Sequence, residues 1–370
     1  MAKRRIVFIV TQDCQLRCNY CYLVGKNQTG KMTWEKAKKI VDFLMSLPVE
    51  EEEAIFDFIG GEPLLEIDLI HRVSDYLDKK MEELHHPWQN KSSFRITTNG
   101  LTYSSEKVQK YVAKYKDRLE IQISLDGTKK KHDLNRVFAN GKGSYDVLLP
   151  NVKLWIEQFK ERAKPFMVIS HNDLPYLSES IIHLISLGLS DIFVSLVVED
   201  VWEDGDDVIF EKELMTIADY LINNRLWNTI TVSPFRREIG DPETNSHIYP
   251  CGNLMYVFDA DGNIYTCVRF ASYSLRSKTP RIVGNIVFGI DKNKLRPLLA
   301  YDRESSYQPK CLDCEIASCC RWCPAENYDS SESGTIFQRT TTVCKLHKAN
   351  VRVKNYYWNR INYEYERSKT

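Results

Sequence analysis

The sequence has no excess of charge, no long hydrophobic segment at its amino end and no internal repeat. Lysine plus arginine and aspartate plus glutamate both number 50, so the formal net charge is zero and gives no electrostatic reason to expect nucleic acid or a membrane as partner. The apolar run 6–10 is far too short for a secretory signal or a membrane span. Thiols of a protein that is not exported stay reduced, so the 11 cysteines indicate metal ligands rather than disulfides, and we expect a cytoplasmic protein.

The sequence does have enough apolar residues for a sizeable core, and a regular alternation of strands and helices. Its 370 residues, 43% of them hydrophobic, suggest about two domains or one barrel with an appendage. The alternation predicts an α/β fold whose parallel sheet is curled toward a barrel by right-handed crossovers. Polar signatures follow the strands, at the end where α/β barrels build their sites. The six predicted strands are 5–11, 54–59, 94–98, 119–124, 166–170 and 191–198.

The pattern changes after about residue 199. A helix is predicted at 208–225, and residues 255–267 are typical of a hairpin with an Asp-Gly turn. The segment 302–346 has few apolar runs, so we expect bound metal to help hold it. The aromatic stretch 350–365 is predicted to be a helix docked on the rest of the protein.

Three thiols stand on one short loop, residues 14–21, directly after the first strand; we call it the cysteine loop. Cys14, Cys18 and Cys21 have the x3 and x2 spacing that can hold three corners of a four-iron cluster. The fourth iron would have no protein ligand, and an open coordination position permits chemistry. A structural zinc site needs four ligands, and no further cysteine or histidine lies within the next ten residues.

The cysteine loop, with Tyr20 before its last cysteine, resembles the signature of the radical S-adenosylmethionine (SAM) superfamily. The later cysteines resemble the SPASM domain found in one branch of that superfamily, and the resemblance spans roughly residues 5–346. It implies an α/β fold in which a partial (β/α)6 TIM-like barrel precedes a cysteine-rich iron–sulfur domain. The implied division is a barrel at 1–200, a bridging helical segment at 201–250, a SPASM domain at 251–346 and a C-terminal helix at 347–370. The SPASM pattern is formed by Cys251, Gly262-x4-Cys267, Cys311-x2-Cys314, Cys319-x3-Cys323 and Cys344.

The resemblance also implies the cofactor site. The three thiols of the cysteine loop would bind a [4Fe-4S] cluster whose open iron is chelated by the amino and carboxylate groups of SAM. Glu62 would accept from the SAM ammonium, Arg136 would bind its carboxylate, and Leu196 would pack on adenine. Small residues at the Gly-Gly-Glu-Pro stretch would let the backbone approach the ligand. The implied SAM-binding residues are Tyr20, Gly60, Gly61, Glu62, Pro63, Ser124, Arg136 and Leu196.

Two auxiliary [4Fe-4S] clusters are implied for the C-terminal cysteines. The first would be held by Cys251, Cys267 and Cys323, and either keeps an open iron for substrate or gains Cys320 as a fourth ligand. Either Cys319 or Cys320 could serve in the doublet, because the superfamily commonly has a Cys-Gly pair there. The second cluster would be held by Cys311, Cys314, Cys319 and Cys344.

The activity implied by the resemblance is hydrogen abstraction by a 5′-deoxyadenosyl radical from a ribosomally made precursor peptide. The leading expectation is a peptide maturase that forms a thioether or carbon–carbon cross-link. Its partners would be the peptide, a flavodoxin- or ferredoxin-type electron donor and a separate leader-binding protein. No residue can be identified as the catalytic base for substrate.

Three alternatives stay open at this point. The first is an anaerobic sulfatase-maturating enzyme, but such enzymes have an aspartate directly after the second SPASM cysteine, where this chain has Val268 and Arg269. The second is peptide splicing or epimerisation by the same radical chemistry. The third is a non-enzymatic zinc-binding interaction module, which the segment 311–323 alone would allow.

Overall fold

A computed structural model of the chain describes residues 3–27, 30–49, 51–199, 201–239, 251, 254–276, 278–302, 306, 308–317, 320 and 322–367. Cys319 and residues 240–250 of the predicted bridging segment lie outside the described residues. No helix among the described residues is both long enough and apolar enough to cross a membrane.

The predicted parallel sheet is confirmed. Strands β1 to β4 lie side by side and parallel, and β5 pairs in parallel with β6. A single parallel bridge between Ser124 and Phe166 joins β4 to β5, so the six strands follow one another around a partial barrel. The strands are β1 (Lys3–Thr11), β2 (Glu53–Gly60), β3 (Ser92–Thr98), β4 (Leu119–Ile123), β5 (Phe166–Ile169) and β6 (Asp191–Leu196).

Helices follow the strands and cover the apolar face of the sheet. The Thr33 side chain accepts a hydrogen bond from the Lys36 amide at 3.2 Å and so caps the first helix. The fifth of these helices ends at Phe159 and continues as a 3-10 turn over Lys160–Arg162. The helices of the barrel are α1 (Trp34–Ser46), α2 (Ile67–Glu83), α3 (Glu106–Tyr115), α4 (Lys129–Asn135), α5 (Tyr145–Phe159) and α6 (Leu177–Ser186).

The two faces of the barrel strands differ in chemistry because side chains alternate along a strand. Phe56 and Phe94 are fully buried on the face that packs on the helices, where the Phe94 ring lies 4.9 Å from that of Tyr115 in α3. Asp57 and Arg95, each one residue further along, therefore point into the barrel interior. The interior is polar, while the core lies between sheet and helices.

The C-terminal half extends the same sheet, which the sequence did not predict. The predicted hairpin is confirmed as β8 (Met255–Phe258) and β9 (Asn263–Tyr265), but β8 also pairs in parallel with β1. The sheet thus continues across the expected boundary between barrel and SPASM domain. The other C-terminal elements are α7 (Asp206–Asn223), β7 (Thr231–Val232), β10 (Gly284–Asn285), β11 (Gly289–Ile290), α8 (Lys292–Leu299), α9 (Pro324–Ser330) and α10 (Cys344–Arg367).

The terminal helix α10 docks on α7, as expected, but it begins six residues earlier than predicted, at Cys344. Tyr356 donates to Asp219 of α7 at 2.7 Å, and the Trp358 indole donates to the Phe235 carbonyl at 2.8 Å. Cys344 therefore stands at a helix N-terminus, where the macrodipole favours a thiolate.

Candidate active site

The cysteine loop is held in place by the segment that follows α4. The Arg17 amide donates to the Val137 carbonyl at 2.7 Å, and the Asn19 amide donates to the Asn135 carbonyl at 3.1 Å. The Cys14 amide is bonded to the Asn27 side chain at 2.9 Å. The positions of the three thiols are therefore fixed by backbone contacts with residues more than a hundred positions away.

The thiols of the cysteine loop have the donor chemistry of a cluster site. None is in a disulfide; Cys14 is buried, and Cys18 and Cys21 are half-buried. Burial raises the pKa of Cys14 and of Cys18, and the nearby Lys26 ammonium opposes the rise at both. Among the described residues, no three His, Cys, Asp or Glu side chains are close enough to share one metal ion. Three thiols on one loop with x3 and x2 spacing supply the donor set that three corners of a four-iron cluster need.

The Gly-Gly-Glu-Pro stretch packs directly against the start of the cysteine loop. The Gly61 amide donates to the Thr11 carbonyl at 2.8 Å, and the Glu62 amide donates to the Asp13 carbonyl at 2.7 Å. A Cβ on Gly61 would lie 2.3 Å from the Asp13 carbonyl oxygen, and one on Gly60 would lie 2.0 Å from that of Thr11. These glycines thus permit a close approach of the backbone to the start of the cysteine loop. The resemblance had implied a close approach of the backbone to the ligand instead.

Glu62 is a buried carboxylate without a cationic partner. Its exposure is 1%, and it accepts hydrogen bonds from the Leu64 amide at 3.0 Å, the Thr98 hydroxyl at 2.6 Å and the Asn99 amide at 2.7 Å. Burial raises the pKa of Glu62 to about 7, and these hydrogen bonds limit the rise. No lysine or arginine in the described part of the chain forms an ion pair with Glu62. The N–H groups of a bound amine would donate to this carboxylate, so the site fits the amino group of SAM.

Arg136 and Tyr20 lie together and share one partner, Asp126. The Arg136 guanidinium binds the Asp126 carboxylate through Nε at 2.9 Å and Nη2 at 3.2 Å, and the Tyr20 hydroxyl also donates to it. The Arg136 guanidinium carbon lies 5.4 Å from the centre of the Tyr20 ring. Asp126 was not among the predicted site residues, although Ser124, two residues before it, was.

The other predicted SAM-binding residues lie at strand ends, as expected. Ser124 follows β4 and its amide donates to the Thr98 carbonyl at 2.8 Å, and Pro63 begins the 3-10 turn after β2. Leu196 is the last residue of β6 and is half-buried. It lines a cavity of about 470 Å³ that extends from β6 to the C-terminal cysteines.

The first group of C-terminal cysteines is brought together by the hairpin and α9. The thiols of Cys251 and Cys267 are within hydrogen-bonding distance, which raises the pKa of Cys251 and lowers that of Cys267. The charge of Cys323, directly before α9, also raises the pKa of Cys251. These three are the cysteines expected for the first auxiliary cluster.

The second group contains Cys320, for which the sequence left two alternatives. Burial raises the pKa of Cys320 to about 11, and the charges of Cys344 and Cys311 add to this rise. Burial likewise raises the pKa of Cys344, and the charges of Cys311 and Cys314 contribute. The Arg339 guanidinium, which the sequence analysis did not single out, lies 2.8 Å from the Cys320 sulfur.

A buried ion pair stands beside Cys267. Arg269 binds the Glu199 carboxylate at 2.8 Å, and its guanidinium carbon lies 5.2 Å from the centre of the Tyr22 ring. The positive charge of Arg269 helps to lower the pKa of Cys267. Val268 thus occupies the position expected for the aspartate base of a sulfatase-maturating enzyme, and the next residue, Arg269, is paired with Glu199.

Comparison with known proteins identifies the amino-terminal region. Residues 8–174 match the Radical SAM superfamily. The uncharacterized protein MJ0907 of Methanocaldococcus jannaschii is 27% identical over 299 residues, which are 79% of this chain and 91% of that protein. A cysteine-type anaerobic sulfatase-maturating enzyme of Clostridium novyi (strain NT) is 28% identical over 167 residues, and the match spans 44% of this chain and only 42% of that enzyme.

Solved structures share the fold over nearly the whole chain. The structure of anSMEcpe with bound AdoMet and Cp18Cys peptide has a TM-score of 0.73 at 19% identity, covering 96% of this chain and 99% of that one. Streptococcus suis SuiB bound to precursor peptide SuiA has a TM-score of 0.61 at 18% identity, covering 92% and 76%. At this identity the likeness establishes the fold. Residues 8–174 match the Radical SAM superfamily, and over nearly the whole chain the fold is similar to that of anSMEcpe.

Proposed function

We propose that the chain is a peptide maturase that uses SAM, bound at a [4Fe-4S] cluster on Cys14, Cys18 and Cys21, to cross-link a precursor peptide. When bound, the cluster and SAM supply a 5′-deoxyadenosyl radical that abstracts hydrogen from the substrate. The observation that carries the cofactor assignment is the buried Glu62 carboxylate, which has no cationic partner among the described residues.

The residues of the chain hold the two ends of the SAM amino acid. Glu62 accepts from the ammonium, which restores charge balance at a buried site. Arg136 uses Nε and Nη2 for Asp126, which leaves Nη1 for the SAM carboxylate. Both groups are at most 6% exposed, so water competes little for these hydrogen bonds. Leu196 and Tyr20 supply apolar surface for the adenosyl part.

The polar barrel interior supports a peptide substrate. Arg5 pairs with Asp57, and Arg95 pairs with Glu120 at 2.7 Å, so charges of alternating sign cross the inner face from β1 to β4. The side chains of Arg5 and Glu120 are 41% and 39% exposed, so they stay accessible from the open side of the barrel. Such a surface suits the amide groups of a peptide backbone better than an apolar ligand. The related structures anSMEcpe and SuiB, each solved with a peptide, add support.

The C-terminal cysteines are proposed to hold two auxiliary clusters that bind substrate or accept its electron. The first group is Cys251, Cys267 and Cys323. For the second group we propose Cys320 as the ligand from the doublet, because a buried arginine donates to its sulfur and stabilises the thiolate that a cluster needs. The second group is then Cys311, Cys314, Cys320 and Cys344.

An anaerobic sulfatase-maturating type of activity is the second candidate. The 28% identity to the Clostridium novyi enzyme favours it. Against it, Val268 follows Cys267, and the next residue, Arg269, is paired with Glu199 rather than free to act as a base. Splicing and epimerisation use the same hydrogen abstraction and differ in what becomes of the substrate.

Mass spectrometry of the product separates these activities. The chain is co-expressed with small open reading frames that neighbour its gene, and each peptide is examined after anaerobic reaction in D2O. A cross-link removes two hydrogen atoms, epimerisation leaves the covalent formula unchanged but introduces deuterium, and splicing removes a backbone segment. Conversion of a cysteine in a sulfatase peptide, with no change in any precursor peptide, would refute the maturase assignment.

The Cys18→Ala variant tests the cofactor assignment separately. We expect it to lose 5′-deoxyadenosine formation completely while it keeps the iron of the C-terminal groups, because Cys18 supplies only the amino-terminal cluster. The matched variant Cys311→Ala should lose iron from the other end of the chain. Undiminished 5′-deoxyadenosine formation by Cys18→Ala would contradict the assignment.

A further inference from the structure

Asp126 is a buried carboxylate at the carboxyl end of the barrel for which the cofactor contacts proposed above give no role. It lies two residues after Ser124, and its exposure is 0%. The residue after it, Gly127, has a positive φ of 114° and lies so close to Ser180 that a Cβ would approach to 2.1 Å. The backbone that carries Asp126 is thus confined on both sides.

Both carboxylate oxygens of Asp126 are fully used. Oδ2 accepts from Arg136 Nε at 2.9 Å and from the Tyr20 hydroxyl. Oδ1 accepts from Arg136 Nη2 at 3.2 Å and from the Val168 amide at 2.9 Å. Four donors from three separate parts of the chain therefore converge on one side chain, and the two-point contact with the guanidinium fixes the plane of Arg136.

The surroundings keep Asp126 charged and Arg136 in place. The His132 ring accepts from the Asp126 amide at 3.3 Å and contacts Ser144, whose hydroxyl donates to the Arg136 carbonyl at 2.7 Å. Burial opposes ionisation, but the charges of Arg136 and Lys131 outweigh it and lower the pKa of Asp126 to about 2. Asp126 is therefore an anion at any pH at which the enzyme works.

The cysteine loop is tied to the same structure. Tyr20 stands between Cys18 and Cys21, and the amides of Arg17 and Asn19 bond to the chain on either side of Arg136. A shift of Arg136 would thus move the cluster loop, and a shift of the Tyr20 ring would change the surface offered to adenine.

We propose that Asp126 is the positioning residue that orients Arg136 and Tyr20 together toward SAM, through the convergence of their donors on its buried carboxylate. The proposal rests on the proposed assignment of Arg136 to the SAM carboxylate. It makes Asp126 act through other side chains, without a contact to SAM of its own.

The test measures SAM binding to the reduced, cluster-loaded enzyme by the change in its electron paramagnetic resonance spectrum on titration with SAM. Asp126→Asn should raise the dissociation constant of SAM by about tenfold, the usual effect of removing a side chain that orients a ligand-binding group. Asp126→Glu keeps the charge but displaces the carboxylate, and should also weaken binding. Asp173→Asn is the matched control, since Asp173 is equally buried and pairs with Lys131 at 2.7 Å but contacts neither Arg136 nor Tyr20.

A double-mutant cycle separates this proposal from the one on which it rests. Arg136→Met alone should weaken SAM binding, and adding Asp126→Asn to it should cost clearly less than the tenfold expected in the unmodified enzyme, because only Tyr20 is then left for Asp126 to act through. Unchanged binding by Arg136→Met would refute the assignment of Arg136. Weakened binding by Arg136→Met with normal binding by Asp126→Asn would refute only the positioning role. The role would also be refuted if both Asp126 variants failed to assemble the cluster while Arg136→Met assembled it, since Asp126 would then serve folding alone.

Discussion

The raised pKa of Glu62 makes SAM binding depend on pH near neutrality. Only the ionised carboxylate attracts the SAM ammonium, and burial raises the pKa of Glu62 to about 7 in the SAM-free protein. Relative to pH 8, the titration of Glu62 alone should therefore raise the apparent dissociation constant about twofold at pH 7 and about tenfold at pH 6. The affinity for SAM falls as the pH is lowered, because Glu62 becomes protonated and loses the negative charge that contributes to binding SAM.

The assay is a SAM titration of cluster-loaded enzyme between pH 6 and 8. Glu62→Gln keeps the shape of the side chain without the charge, so its affinity should be about 10- to 100-fold lower at pH 8, and its pH profile should show only the titration of SAM itself. Glu66→Gln is the matched control, because Glu66 lies on the same turn but is paired with Lys31 at 2.7 Å. It should keep the pH profile of the unmodified enzyme.

An equal pH slope in the unmodified enzyme and in Glu62→Gln would refute this reasoning. The amino group of SAM also titrates in this range, because an α-amino group ordinarily has a pKa near 8. Its titration is common to both proteins, so the contribution of Glu62 is the difference between the pH profiles of the unmodified enzyme and of Glu62→Gln.

Two further predictions concern the cluster ligands and their support. Gly61→Ala should lose most of the iron of the amino-terminal cluster, because its Cβ would lie 2.3 Å from the Asp13 carbonyl and push the cysteine loop away. Gly30→Ala is the control and should keep this iron, because nothing lies within 4 Å of its Cβ. Iron analysis and the cluster spectrum check both, and normal iron in Gly61→Ala would contradict the packing argument. Cys320→Ala should lower the iron content by about one cluster, whereas Cys319→Ala should not, and the reverse result would move the ligand to Cys319.

The sequence predicted those parts of the fold whose signals are local. Strands β1 to β4 are continuous or alternating apolar runs followed by polar residues, and the longer helices have an apolar stripe that identifies them. The short helices α4, α8 and α9 were not predicted, and α4 is a seven-residue helix of mostly charged residues. It is held instead by contacts that no local pattern encodes, among them the buried bond from Lys131 to the Val168 carbonyl at 2.8 Å.

The sequence predicted the site less completely because long-range partners are not visible in a pattern. Cys14 and Glu62 stand in recognisable motifs, so their positions at strand ends could be expected. Asp126 could have been suspected from its place in the Ser-Leu-Asp-Gly strand end, but only the fold shows that Tyr20 and Arg136 converge on it. Arg339 has no signal at all, since it lies in a loop and gains a role only through its contact with Cys320.

The pairing of β8 with β1 has a consequence for how the proposed clusters are arranged. β1 leads directly into Cys14, while Cys251 and Cys267 flank the β8–β9 hairpin that is hydrogen-bonded to β1. The Val24 amide, just after the cysteine loop, also donates to the Tyr273 carbonyl beyond Cys267 at 2.7 Å. The amino-terminal thiols and the first auxiliary group are therefore spaced by the hydrogen bonds of one sheet rather than by a linker. This sheet would hold constant the gap across which a substrate radical passes its electron to the proposed auxiliary cluster.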